Sequence, residues 1–203
     1  MASHGETISD RQADLLHALR PAHLRVDLRL ADPGHVDLLA RAAQEVRALG
    51  AALELAVHAN AAQEDVLAAL ATHLEATRAE GIQVARVLVY PAADGFSAFV
   101  STTPVELVVL VRRHLEPATG PVVFAGGTDQ NFSDINRDRP TDPALSGVCF
   151  SVSPTVHAAD DWSIVENLPG QSAAVRMARS FSGDRAICVS PVTLATRNGP
   201  YPA

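Results

Sequence analysis

Lysine is absent from this sequence, and all 16 basic residues are arginine. A Schiff-base mechanism needs a lysine amine, so the chain cannot be an aldolase of that class. Acidic residues number 23, which gives a formal net charge of -7. That sign argues against nucleic acid or an anionic membrane surface as the main partner.

Cysteines and long apolar runs are also scarce. Cys149 and Cys188 each lie within a predicted buried strand, which indicates small reduced core residues rather than a disulfide framework or a metal site. The N-terminus lacks the basic region and apolar run of a signal peptide. No uncharged apolar run reaches the roughly 18 residues that a membrane helix needs. We therefore expect a soluble, cytoplasmic protein with no membrane partner.

Short apolar strand candidates alternate with longer helical patterns along the 203 residues, of which 47% are hydrophobic. Strands are predicted at residues 23–30, 52–59, 84–91, 121–127, 147–153 and 185–191. Helices are predicted at residues 8–19, 34–49, 62–80, 102–115 and 163–181. Strict β-α alternation predicts an α/β protein with a parallel sheet, either doubly wound or a (β/α)₈ barrel.

Polar residues gather after the carboxyl ends of the predicted strands, where barrel enzymes keep their active sites. They occur at residues 58–60, 128–139, 153–161 and 193–197, and we expect these segments to be loops that converge on one pocket. The first strand ends without the Gly-rich turn of a dinucleotide-binding fold. We therefore predict a single TIM-barrel catalytic domain over residues 1–203. It is interpreted as incomplete, with strands two to seven present, and its exposed sheet edges favour self-association.

Three segments resemble the D-apionate lactonase family: GGTDQNFSDINRDRP (126–140), SVSPTVHAADDWSIVENL (151–168) and VSPVTLATRNGPYPA (189–203). Residues 2–30 are similar to the same family's segment from first to second strand. The resemblance implies a (β/α)₈ barrel of glycosidase-like ancestry that hydrolyses a branched sugar-acid lactone, D-apionolactone to D-apionate, in carbohydrate catabolism. Members of the family are longer, so the chain is interpreted as an internal segment.

Lactone hydrolysis requires a base for water, donors for the carbonyl oxygen and an acid for the leaving alkoxide. His157 with Asp160 or Asp161 is the first candidate pair for proton transfer, because a carboxylate can orient and stabilise an imidazolium. Either Asp160 or Asp161 can instead cap the helix that begins near Ser163. Glu166 is a candidate acid or base, although the helix dipole favours a carboxylate there whatever its role.

Eight further residues are predicted to bind substrate: Asp27, Arg29, His58, Asn60, Thr128, Asn131, Asn136 and Arg137. The two asparagines of the 128–139 segment suit vicinal hydroxyls, and Arg137 suits a carboxylate or an oxyanion. Asparagine, aspartate and serine are also ordinary loop formers. Asp27 and Arg29 project to one side of their strand, either as a structural ion pair or as a substrate clamp.

Metal-ligand motifs such as His-x-His, HExxH and paired CxxC are absent from the sequence, so we predict no metal and no cofactor. The alternative is a metal held by three ligands from separate strand ends, as barrels build such sites. A retaining glycosidase needs two carboxylates across the scissile bond. The strand ending VYPAA (89–93) has no Asn-Glu, and VSPVTL (189–194) has no carboxylate. The two strand ends that would supply these carboxylates lack them, which argues against a retaining glycosidase.

The predicted partner is a small sugar lactone. The alternative is a glycoside-hydrolase-like barrel fragment that is catalytically inactive or only binds carbohydrate.

Overall fold

The computed structural model describes residues 7–92, 102–155, 158 and 160–194. Helices and strands alternate, which confirms the predicted α/β class. The helices are α1 (Asp10–Leu19), α2 (His35–Leu49), α3 (Glu64–Ala79), α4 (Val105–Thr119), α5 (Phe132–Arg137) and α6 (Asp161–Ser182). The strands are β1 (His23–Arg29), β2 (Ala52–Ala59), β3 (Val84–Pro91), β4 (Val123–Asn131), β5 (Gly147–Val152) and β6 (Ala186–Val192).

The chain divides into two compact units. Unit 1 comprises Met1–Ala92 and Val109–Phe124, and unit 2 comprises Ala93–Val108 and Ala125–Ala203. In unit 1, β1 pairs with β2 and β2 with β3, all in parallel. In unit 2, β4 pairs with β5 and β5 with β6, again in parallel. A parallel pair needs a crossover connection, and the intervening helices supply it.

Side-chain alternation gives the sheet of unit 1 two different faces. Along β1, Leu24, Val26 and Leu28 are buried, whereas the residues between them are polar and half-buried. On β2, one face carries apolar residues and the other carries Glu54 and His58, both buried. Because successive side chains of a strand point to opposite faces, the polar residues of neighbouring strands share a face and must satisfy one another.

Glu54 is completely buried, and its carboxylate contacts two neighbours on that polar face. Arg86 Nε on β3 donates a hydrogen bond to Glu54 Oε2. His23 Nε2 on β1 lies 3.4 Å from the same oxygen and accepts a hydrogen bond from Arg86 Nη2 at 2.6 Å. Burial lowers the pKa of His23, Arg86 lowers it further, and Glu54 acts in the opposite direction. The histidine is therefore held in its neutral form.

We expect the neutral state of His23 to make unfolding free energy depend on pH. Its folded pKa is below the unfolded value of about 6.5. The contribution of His23 to the free energy of unfolding is therefore complete above pH 6.5. It is lost as pH falls from there toward the folded pKa, because the unfolded chain takes up the proton first. Urea unfolding at pH 7.5, 6.5 and 5.5 should show a weaker pH dependence in His23→Gln than in the wild type. His73→Gln, an exposed position on α3, serves as the control, and identical slopes in all three proteins would contradict the assignment.

Unit 2 is organised around the face of β5 that packs against two helices. Val148, Phe150 and Val152 form a buried cluster with Ile135 of α5 and Ala178 of α6. Phe132 packs on this cluster, with its ring centroid 5.2 Å from that of Phe150. Each large apolar side chain buried here stabilises the fold by about 1.5–3 kcal/mol relative to exposure.

Gly127 on β4 is required by the close approach of β5. A Cβ atom at this position would lie 1.9 Å from the carbonyl oxygen of Cys149. Cys149 and Cys188 are register partners on β5 and β6, and both are buried. No helix among the described residues is both long enough and apolar enough to span a membrane.

The prediction of a loop after the fourth strand is wrong. β4 continues to Asn131, and α5 follows at once over Phe132–Arg137. The reason is the spacing of Phe132 and Ile135, which lie three residues apart and both pack on β5. Such spacing places them on one face of a helical turn, and their burial outweighs the loop preference of the polar residues around them.

Candidate functional site

A cavity of about 450 Å³ lies in unit 2, at the carboxyl ends of β4 and β5. We call it the α5–α6 cavity, because it is lined by the end of β4 with the start of α5, by residues 151–154 and by the first half of α6. Its volume is within the range of small-molecule sites. The carboxyl end of a strand is also where parallel α/β proteins bind their ligands.

One face of α6 forms a wall of this cavity. The lining residues on α6 are Ser163, Glu166, Asn167, Gly170, Gln171 and Ala174. Their spacing of three and four residues is that of a single helix face. The helix therefore presents a carboxylate, two amides and a hydroxyl to the cavity, with Gly170 leaving space between them.

The remaining lining combines apolar surface with hydroxyl and amide groups. Phe132, Val152 and Pro154 supply apolar surface, while Asn131 and three further serines supply polar atoms. Such a mixture suits a polyol ring, which offers C–H surface and hydroxyl groups together.

The segment that follows β5 is held from two sides. Asn167 Nδ2 on α6 donates a hydrogen bond to the Pro154 carbonyl at 2.9 Å. Ser153 Oγ donates to the Leu194 carbonyl at 3.1 Å, and Thr155 Oγ1 donates to the same oxygen. These bonds fix the floor of the cavity against α6 and the chain after β6. His157, the predicted proton-transfer residue, lies outside the described residues.

Asp160 acts as the N-cap of α6. Its carboxylate accepts hydrogen bonds from the Ser163 backbone N–H at 3.0 Å and from Ser163 Oγ at 2.7 Å. These two bonds lower the pKa of Asp160. The structure thus shows the capping contact that was the alternative for this residue, and its pairing with His157 stays a prediction.

The other predicted residues of unit 2 have different surroundings. Glu166 and Asn131 both line the α5–α6 cavity. Thr128 is buried on β4, where its hydroxyl accepts a hydrogen bond from the Gln130 N–H at 3.1 Å. Asn136 and Arg137 are exposed on α5, bonded to Arg139 and Asp134 respectively. The cavity therefore brings together two of these predicted residues.

In unit 1, Asp27 has a different arginine partner from the one we considered. Arg25 Nη2 donates a hydrogen bond to Asp27 Oδ1 at 2.7 Å. The same oxygen lies 3.4 Å from His58 Nε2, and the His58 ring is 5.1 Å from that of Tyr90. A carboxylate between a guanidinium and an imidazole can orient the histidine ring. Arg29, two residues along, is exposed and forms no ion pair among the described residues.

Asn60, which follows β2, has a local backbone contact. Its side-chain oxygen accepts a hydrogen bond from the Ala62 N–H at 2.9 Å, and the residue is exposed. This is the Asx-turn geometry by which asparagine starts a turn. Any contact between Asn60 and a substrate remains a prediction.

Several site residues were not predicted from the sequence, although the sequence contains signals for them. Arg25 alternates with Asp27 along β1, so strand periodicity alone places the two on one face. Ser163, Asn167 and Gln171 repeat at intervals of four, which places them on one face of α6. What the sequence could not show is that this face lines a cavity rather than solvent.

Comparison with known proteins gives one family match and one curated relative. The family described as "D-apionate lactonase, TIM barrel domain" matches residues 1–203. A D-apionate lactonase of Brucella anthropi is 29% identical over 129 residues, which cover 61% of this chain and 21% of that protein. The matched part thus spans about a fifth of the relative's length. The family match confirms the predicted TIM-barrel class, and the described residues contribute six of its alternating strands.

Two substitutions of Asp160 should separate helix capping from proton transfer. Asp160→Asn keeps a good N-cap residue and should leave the melting temperature near the wild-type value, whereas Asp160→Ala should lower it. The lowered pKa means that the carboxylate's stabilising effect is present above its unfolded pKa of about 3.9 and is lost below it as pH falls. Thermal melts of both variants, with Asp161→Ala as the neighbouring control, check this. A loss in Asp160→Asn as large as in Asp160→Ala would show that the cap is not the residue's contribution.

Proposed function

The chain belongs to the D-apionate lactonase TIM barrel domain family, and from that membership we propose that it hydrolyses a sugar-acid lactone, D-apionolactone to D-apionate, in cytoplasmic carbohydrate catabolism. Hydrolysis adds water across the ring ester bond. The water oxygen bonds to the carbonyl carbon, the ring C–O bond breaks, and the alkoxide takes up a proton.

The observation that carries this proposal is the α5–α6 cavity with Glu166 in its wall. It offers a carboxylate, several amides and hydroxyls, and apolar surface within a volume suited to a single sugar ring. These are the groups that a neutral polyhydroxylated lactone requires.

We assign Glu166 as the base that takes a proton from the attacking water. A carboxylate positioned this way contributes about a hundredfold to ten-thousandfold to a rate. Asn131 and Ser133 donate hydrogen bonds to the carbonyl oxygen and to the ring hydroxyls. The other cavity serines already donate their hydrogens within the protein and accept from ring hydroxyls. His157 donates the proton to the leaving alkoxide, and Asp160 supports it by holding the first turn of α6.

We propose that Asp27, Arg29 and His58 of unit 1 also bind substrate, whether or not Glu166 is the base. Asp27 and His58 lie near the carboxyl ends of β1 and β2 and share one face with Arg29. The carboxylate can accept from a sugar hydroxyl, and the imidazole can donate to one.

Selective turnover is the test of this function. Purified protein should consume base in a pH-stat with D-apionolactone and much less with a common aldonolactone, beside the Brucella anthropi relative as a positive control. Glu166→Gln should lower kcat/KM by at least about a hundredfold, whereas Glu75→Gln, an exposed carboxylate on α3, should leave it unchanged.

Two results would contradict the proposal. Full activity in Glu166→Gln would remove Glu166 as the base. A cooperatively folded wild type that binds D-apionate but does not turn over the lactone would instead support carbohydrate binding without catalysis.

A further inference from the structure

The charge of the α5–α6 cavity bears on which form of the sugar it retains. Among the described residues that line it, Glu166 carries the only formal charge, and that charge is negative. The net charge of the whole chain has the same sign. Lactone hydrolysis converts a neutral ring into a carboxylate, so substrate and product differ by one unit of negative charge.

The N-terminus of α6 is the obvious feature that would offset this repulsion, because a helix N-terminus attracts anions. In this structure the Asp160 carboxylate is already bonded there, to the N–H and hydroxyl of Ser163. Ser163 lines the cavity, yet these two donors point to a side chain of the protein itself. The helix end therefore adds a second carboxylate near the cavity rather than a place for the product's carboxylate.

We infer that Glu166 is a specificity-determining residue that makes the α5–α6 cavity bind the neutral lactone in preference to the ring-opened carboxylate. The inference rests on the proposed function, since it assumes that this cavity holds the sugar. Its consequence is that hydrolysis weakens binding of the product, which favours release and limits product inhibition.

The size of the effect follows from Coulomb's law. Two like charges about 6 Å apart, at an effective dielectric constant between about 40 and 80, change a dissociation constant by about threefold to tenfold. Glu166 is exposed, so the effect is at the lower end of this range in physiological salt and decreases as salt is added.

Calorimetric titration with two ligands measures this discrimination without turnover. One ligand is D-apionate, and the other is the neutral cyclic ether in which CH₂ replaces the lactone carbonyl. Wild-type protein should bind the ether more tightly. Glu166→Gln should tighten D-apionate binding by about threefold and leave ether binding unchanged, and the gain should shrink at 0.5 M salt.

Two further variants provide matched controls. Gln171→Glu adds a carboxylate to the same wall of the cavity and should weaken D-apionate binding while sparing the ether. Glu75→Gln removes an equal charge from exposed α3 and should change neither. A melt of each variant confirms that it folds.

The outcomes distinguish this inference from the function on which it rests. Equal affinity of the wild type for both ligands, with no change in Glu166→Gln, would overturn the charge selection and leave the lactonase proposal intact. An equal gain for both ligands in Glu166→Gln would overturn it as well, because the effect would then be steric. Failure of a folded wild type to bind either ligand would reject the cavity as the sugar site and the inference with it.

Discussion

The packing of α5 and α6 against one face of β5 is the constraint on which the candidate site depends. Phe150 is fully buried at the centre of that face, with Ile135 and Ala178 in the same cluster. Because these contacts hold α5 and the second half of α6 on the sheet, the first half of α6 stands beside the carboxyl end of β5, and the α5–α6 cavity opens there. The apolar core thus determines where a polar wall can exist. Further hydrogen bonds, such as that from Asn167 to Pro154, then fix the cavity floor against that wall.

In unit 1, the alternation of side chains along the strands gives the sheet a buried polar face. Its polar face would be costly to bury unless every charge found a partner. The charge of Glu54 is balanced by Arg86, with His23 beside them, and that of Asp27 by Arg25, with His58 beside them. The first group is a structural network with a neutral histidine. The second lies nearer the carboxyl ends of the strands, where a histidine oriented by a carboxylate is suited to proton transfer or to hydrogen bonding with a ligand.

Family membership and local electrostatics contribute separate parts of the functional proposal. The family match supplies the type of reaction, although the curated relative is matched over only 21% of its length. The cavity supplies the physical reason why a neutral polyol ring would fit this chain, and Glu166 supplies a reason why the charged product would leave it. Glu166 would act as the base in the reaction and, once it has released the proton taken from water, its restored charge would repel the product.

The sequence by itself determined the alternation of strands and helices, the family and the polar character of the strand ends. Periodicity and capping signals are local, so most strand limits agree with the structure to within two residues. The prediction from sequence was wrong at α5, where the burial of Phe132 and Ile135 against β5 outweighed the loop-forming composition of the residues around them. Only the tertiary structure decided that Asp27 lies beside His58 of the neighbouring strand and that Glu166 shares a cavity with Asn131. Those contacts depend on the register between strands and on which face of each helix packs against the core. Residues distant in sequence determine both.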